Sequence, residues 1–191
     1  MNRSTNSFYA RGFGASASWI DLVNSQLLDG FGKATECLDD PLWVRSFLQY
    51  WKLRGSFRQP EAKKAMRELR DLLRRLIEKS ETEGSLSLDD VATLNARLKV
   101  PVYPLLVEHQ NGFAMSLQPA QIGWQADLAE VARSFADSLV HEPLGRLKIC
   151  ANMDCRWVFV DRTKGNVRRW CDDKTCGNRD RVRRSRAAHR S

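Results

Sequence analysis

A chain of 191 residues, 42% hydrophobic and 28% charged, can bury the core of one ordinary domain and carry a small module beside it. That balance excludes a disordered or fibrous protein, and no stretch approaches the ~20 consecutive apolar residues of a membrane-spanning helix. The net charge of +8 is concentrated at one end: from Arg146 to Ser191 there are 14 Lys and Arg against 5 Asp and Glu, so residues 1–145 are nearly neutral. A basic module on a neutral body predicts a polyanionic partner, nucleic acid ahead of a membrane surface, with a merely solubilising tail as the alternative. The first residues lack a continuous apolar run of the secretory kind, which predicts a cytoplasmic protein.

Six segments read as helical, the last of them in the basic module. Trp19 to Leu28 places Ile20, Val23, Leu27 and Leu28 near helical spacing, with Ser16 or Ser18 available as the cap. Asp40-Pro41 is a cap followed by proline at the first helical position, and opens a helix from Leu42 to about Leu53. Glu61 to Lys79 carries Met66, Leu69, Leu72, Leu73, Leu76 and Ile77 on a 3.6-residue period; its Arg-Glu and Lys-Glu neighbours read as a solvated face. Leu88 to Leu98 follows Ser87 as cap, with Asp89 and Asp90 in the first turn.

Then the period changes to that of strands. Val102 to Glu108 and Phe113 to Leu117 flank Asn111-Gly112, a two-residue hairpin signal, and Pro104 makes the first run an edge strand. Trp124 to about Val140 returns to helix with Leu128, Val131, Phe135 and Leu139 on one face, and Pro143 and Gly145 mark a boundary. The predicted fold is mainly α with a small β-hairpin: a helical domain over 15–143, its hairpin near 102–118, then a module over 146–190.

Four of the five cysteines fall in that module as Cys150-x4-Cys155-x15-Cys171-x4-Cys176. Two close pairs separated by a longer insert suit tetrahedral zinc, since each short loop turns two thiolates to one metal and the insert lets the pairs approach from opposite sides. Disulfides conflict with a cytosolic setting, and a catalytic zinc conflicts with four cysteines that leave no open position for water. One closed structural zinc ion is therefore predicted, with Cys37 as a buried, inert thiol. Between the pairs, Trp157 to Val160 and Val167 to Trp170 read as a β-hairpin turning at Gly165-Asn166, and the second pair opens a helix. Knuckle, hairpin and helix around one metal make a treble-clef arrangement. Trp157 and Trp170 read as the small core of this module, and Gly177 and Asn178 as helix-start residues, Asn178 capping, ahead of direct base reading by Asn178.

The run Trp170-Cys171-x4-Cys176-Gly177-Asn178-Arg179, with Cys155-x-Trp157-x-Phe159-x-Asp161 before it, resembles the signature of the bacterial CGNR zinc-finger family. In that family the finger follows a largely helical domain known as ABATE. Ile20-Asp21-Leu22-Val23-Asn24-Ser25, the Trp43-to-Leu48 helix and the hairpin are similar to it. The resemblance implies a stress-related transcription regulator whose finger binds DNA. Asp172 and Asp173 stand where family members are commonly uncharged, which argues against that loop, and not the helix, as a phosphate contact.

On the last helix, Arg179, Arg183, Arg186 and Arg190 fall within about 60° of one another, a single guanidinium stripe, with Arg181 and Arg184 flanking it. Like charges at such spacing repel, and a row of phosphates relieves that repulsion. Lys164, Arg168 and Arg169 extend the expected footprint. His109, His141 and His189 show no metal-protease spacing, and an enzyme is not expected. The expected function is DNA-binding transcription regulation on duplex DNA, with the first domain sensing a small-molecule or protein signal or mediating assembly. An RNA-binding factor and a protein-interaction adaptor remain open as alternatives.

Overall fold

In a computed structural model, which describes residues 13, 17–28 and 34–189, the long amphipathic helix forms the spine of the molecule. This helix, α3 (Pro60–Glu83), exceeds the expected Glu61–Lys79 at both ends. It stops only at Gly84, whose φ of 71° suits a residue without Cβ and whose N–H caps the Ser80 carbonyl. Ala62, Met66, Leu69, Leu72, Leu73, Leu76 and Ile77 form its buried stripe.

Two helices close a three-sided core with α3: α1 (Ser18–Val23) and α5 (Trp124–His141). Trp19 of α1 is fully buried, meets the Phe135 ring edge-on at 5.1 Å, and donates its indole N–H to Ser138 at 2.8 Å. The expected helix from Trp19 to Leu28 is thus only half helix. It ends at Asn24, and Gln26–Leu28 (β1) pairs antiparallel with Ala34–Glu36 (β2). Buried Asn24 and Ser25 take partners outside the helix, and Ser25 accepts the Cys37 amide at 2.9 Å, which draws the chain into a ribbon. No side-chain hydrogen bond caps α1: Ser18 lies within it, and Ser16 is outside the described residues.

The next helix, α2 (Pro41–Tyr50), starts as the Asp40-Pro41 pair predicts, with Asp40 accepting the Leu42 amide at 2.8 Å. It stops three residues short of Leu53 because Lys52 takes φ 56°, and the Leu53 and Lys52 amides bond back to the Leu48 and Gln49 carbonyls in a Schellman turn. Ser87 caps α4 (Leu88–Arg97) in a full capping box with Asp90.

Strands β3 (Val102–His109) and β4 (Gly112–Pro119) form a two-stranded ribbon. His109 pairs with Gly112, so the turn residues are Gln110 and Asn111, one position earlier than the Asn-Gly signal suggests. Pro104 explains the slip. Ladder bonds alternate along an antiparallel pair from the closing pair of the turn. Pairing Pro104 with Leu117 puts it at a position whose N–H faces the free edge, whereas the other register would demand a ladder donor that proline lacks.

Beyond α5, Leu147–Ile149 (β5) pairs antiparallel with Val158–Val160 (β6), and Asn178–Ala188 forms α6. Leu147, Ile149 and Val158 are buried in the same apolar cluster as α1, α3 and α5. No helix among the described residues is long and apolar enough to cross a membrane.

Candidate metal centre and nucleic-acid interface

The first cysteine loop is shaped by Asn152. Its carbonyl accepts the Cys155 and Arg156 amides at 2.9 and 3.1 Å, and Arg156 turns the chain with φ 54°. Cys150 and Cys155 are thereby brought round on either side of the turn, and the Cys150 amide is secured by the Trp157 carbonyl at 2.8 Å. The second loop begins with Asp172, whose carboxylate caps the Thr175 amide at 2.8 Å. Residues Asp173–Gly177 then form a widened π-turn in which the Gly177 amide reaches the Asp172 carbonyl at 3.1 Å.

These two loops place the sulfurs of Cys150, Cys155, Cys171 and Cys176 within 4.8 Å of one another. Cys171 Sγ lies 3.7 Å from both Cys155 Sγ and Cys176 Sγ. A tetrahedron with zinc–sulfur bonds of about 2.3 Å has edges of about 3.8 Å, whereas a disulfide needs about 2.05 Å. The four thiolates fit one structural zinc ion and leave no fifth position for a reacting water. Without a cation the crowd cannot ionise as a whole: the Cys150 sulfur is held down by its contacts with Cys155 and Cys171, and that same contact with Cys150, with burial, pushes the Cys155 thiol up. Metal charge removes that penalty. Cys37 is free, buried and not part of the cluster; burial pushes its thiol up to about 12, in keeping with an inert side chain.

The insert differs from the expected hairpin. Strand β6 pairs with β5, upstream of the first cysteine, and not with Val167–Trp170. Asp161 is the reason. Fully buried, it accepts from Lys148 Nζ (2.8 Å), the Thr163 amide (3.0 Å) and hydroxyl (2.6 Å), and the Arg168 amide (2.8 Å). Burial alone raises a carboxyl pKa, but these four donors outweigh it and hold Asp161 well below the usual carboxylate range. With its amides turned to Asp161, the 161–168 segment is a loop. Asn166 takes φ 49° at its turn, beside the predicted Gly165.

Gly177 is closely approached: a Cβ there would lie 2.4 Å from Asp173 Oδ1 and 3.3 Å from Trp170, so the Asp173 side chain would have to move. Asn178 is not the helix cap. It has helical φ and ψ, is exposed, and sits a turn inside a helix that Asp172 has already capped. Trp157 and Trp170 are half-buried against the cysteine cluster.

From this anchor α6 projects with Arg179, Arg181, Arg183, Arg184 and Arg186 all exposed; Arg190 lies outside the described residues. Two acidic residues temper the row. Nearly buried Asp180 holds Arg183 at 2.8 Å and Arg184 at 3.0 Å, and Asp173 holds Arg181 at 3.2 Å. Asp180 at three and four positions before those arginines was the available sequence signal. Lys164 and Arg169 are exposed on the loop, and Arg169 lies 5.2 Å over the Trp170 ring. Arg168 is exposed but engaged: it donates to the Trp170 and Cys171 carbonyls and stacks 4.8 Å over Phe159, bracing the third cysteine.

Sequence reasoning missed the seat of the module. The charges on α3 read as a solvated face, yet Arg74 bonds the Arg156 and Val23 carbonyls (both 3.1 Å), Glu78 pairs with Arg156 (2.8 Å), and Glu81 accepts the Ile149 amide (2.7 Å). Arg70 is buried against Glu36 at 2.6 Å. These partners lie 34 to 82 positions away and leave no local signature.

Residues 146–189 match the family model of the CGNR zinc finger. Residues 16–142 match that of the ABATE domain, described as "Putative stress-induced transcription regulator". No curated protein matches the chain.

Proposed function

Since this chain belongs to the ABATE family and carries a CGNR zinc finger at its carboxyl end, we propose that it is a zinc-dependent transcription regulator that binds duplex DNA through α6. The observation that carries this reading is the exposed arginine row on a helix whose first turn is fastened by Cys171, Cys176 and the Asp172 cap. Arg179, Arg183 and Arg186 form the central stripe; Arg181, Arg184 and, by sequence, Arg190 flank or extend it. Lys164 and Arg169 reach phosphates from the loop, while Arg168 acts by holding the loop's shape.

Arginine forks suit both phosphate and the guanine major-groove edge, and most contacts are expected on the backbone. Binding releases Arg183 and Arg184 from Asp180, so part of the cationic charge comes free only against a stronger anion. The ABATE domain, in this reading, senses a signal or mediates assembly.

The test is duplex binding by fluorescence anisotropy at several salt concentrations. With six phosphates engaged, the log–log slope is roughly −5, and Arg179→Ala with Arg183→Ala and Arg186→Ala lowers affinity and flattens the slope by about 1 per arginine that meets phosphate. Unchanged binding in the triple variant, with zinc content intact, overturns the assignment. Preference for structured RNA over duplex at equal salt would replace DNA by RNA.

A further inference from the structure

Between α2, the strap 53–58 and the first turn of α3 lies a cavity of about 510 Å³, within the ordinary size range of small-molecule sites. Its walls are apolar: Leu38, Val44 and Phe57 are buried there, and Leu48 and Leu53 half-buried. Its charged groups are of one sign, beside the neutral Gln49 and Ser56. Arg45 from α2, Arg58 from the strap and Lys63 from α3 line it, and no carboxylate does. None of the three cations forms an ion pair with a described residue.

The wall is preformed. Asp127 receives the Arg54 and Gly55 amides at 3.1 and 2.6 Å, and Gly55 sits so close to α5 that a Cβ would lie 2.6 Å from both Asp127 Oδ2 and the Trp124 nitrogen. The strap is therefore pinned to the core on one side and faces the cavity on the other.

We propose that this cavity binds a small amphiphilic anion, an aliphatic or aromatic body carrying a carboxylate, sulfonate or phosphate group. The apolar walls take the body, and Arg45, Arg58 and Lys63, which line the cavity from three separate elements, take the charge. A contact with any of these cations is charge-assisted, and a neutral analogue forfeits it. The site stands independently of whether α6 binds DNA, because it needs no contact with the finger.

Calorimetric titration of the full zinc-loaded chain with octanoate, and with octanol as the neutral match, tests it. Octanoate binds with one site per chain and octanol at least roughly tenfold more weakly. The exposed-residue variant Arg45→Gln/Arg58→Gln, which leaves the core untouched, removes that preference, and the filling variant Leu48→Trp abolishes binding of both. No octanoate binding, or equal binding of octanol, or an undiminished preference in the Arg45→Gln/Arg58→Gln variant, overturns the proposal.

The β3–β4 ribbon poses a different question. Val102, Leu106, Phe113, Met115 and Leu117 share one of its faces, and they are 51, 62, 76, 66 and 48% exposed. A two-stranded ribbon is marginal in water on its own, and this face offers roughly 500 Å² of apolar surface, at the upper end of what a monomer leaves open. Two such faces together bury roughly 1,000 Å², the threshold of a specific interface. We infer that a second copy of the chain covers it, face to face about a twofold axis. Light scattering after gel filtration reads a dimer for the native chain and a monomer for Leu106→Glu/Met115→Glu. A monomeric native chain, or a dimer indifferent to that double change, refutes it.

Discussion

Asn24 and Val158, 134 positions apart, exchange two hydrogen bonds: the Asn24 amide donates to the Val158 carbonyl at 2.9 Å and accepts the Val158 N–H at 2.7 Å. Asn24 ends α1 and is 1% exposed, so one side chain serves β6 as a missing neighbouring strand would. This bond pair, with Arg74, Glu78 and Glu81, seats the finger on the body.

Replacing Asn24 by Leu leaves a buried donor and acceptor of Val158 without partners. The expected loss is about 2–3 kcal/mol of unfolding free energy, read by urea denaturation. A loss under about 0.5 kcal/mol, the range of ordinary surface changes, would show that β6 does not depend on this contact.

Purified protein is expected to hold one zinc ion per chain by atomic emission. Cys171→Ser, which removes the sulfur 3.7 Å from two others, abolishes tight binding and melts the π-turn and α6, seen as lost helical circular dichroism. Because each cysteine must lose its proton to bind zinc, protons compete with the metal, and retention falls as pH is lowered. Full zinc content in the Cys171→Ser protein would contradict the four-sulfur centre.

Asp161 makes stability depend on pH in a definite direction. Its folded-state pKa lies below the ordinary carboxylate value of about 4. Its contribution is therefore complete above that ordinary value and is lost as pH falls towards the folded-state pKa. Asp161→Asn strands Lys148, itself also bonded to the Asn166 and Arg168 carbonyls, and is expected to cost about 3 kcal/mol and flatten this acid limb. An acid limb as steep as that of the native chain would assign the dependence elsewhere.

Gly177→Ala forces Asp173 aside, and with it the Arg181 partner. The net cost is about 1 kcal/mol or less, because the atom that must move ends an exposed side chain and alanine is the better helix former. Adding Asp173→Ser to Gly177→Ala recovers part of it, whereas Trp170, 3.3 Å away, prevents full recovery. If the second change restores nothing, Asp173 is not the obstacle.

The parts legible in the sequence were those written locally. The cysteine spacing, the Asp40 and Ser87 caps, the α3 stripe and the basic tail each lie within a few turns of chain, and each has its expected counterpart in the structure. What escaped depended on distant partners. Strand β6 has the alternation of a hairpin strand but chose β5 because Asp161 claims the following amides. The charges of α3 look solvent-facing by period alone, yet their partners arrive from the finger. Asn178 follows the last cysteine as a cap would, but Asp172 begins the helix earlier through an extra-wide turn that spacing does not reveal. The ribbon register was within reach, since Pro104 rules out one alternative.

Leu147, Ile149 and Val158 lie in the same apolar cluster as Trp19, Leu73 and Phe135, although they belong to the finger by sequence. Severing the chain near Pro143 would leave the body with an open socket and the finger with a greasy ridge, so each fragment is expected to be less stable than the whole. The two regions are expected to melt together, and chelating the metal, besides loosening the π-turn and α6, is expected to lower the melting temperature of the whole molecule. The spine helix holds Arg74, Glu78 and Glu81 directly against the finger, so a shift of that helix would be felt at the metal-bearing loops.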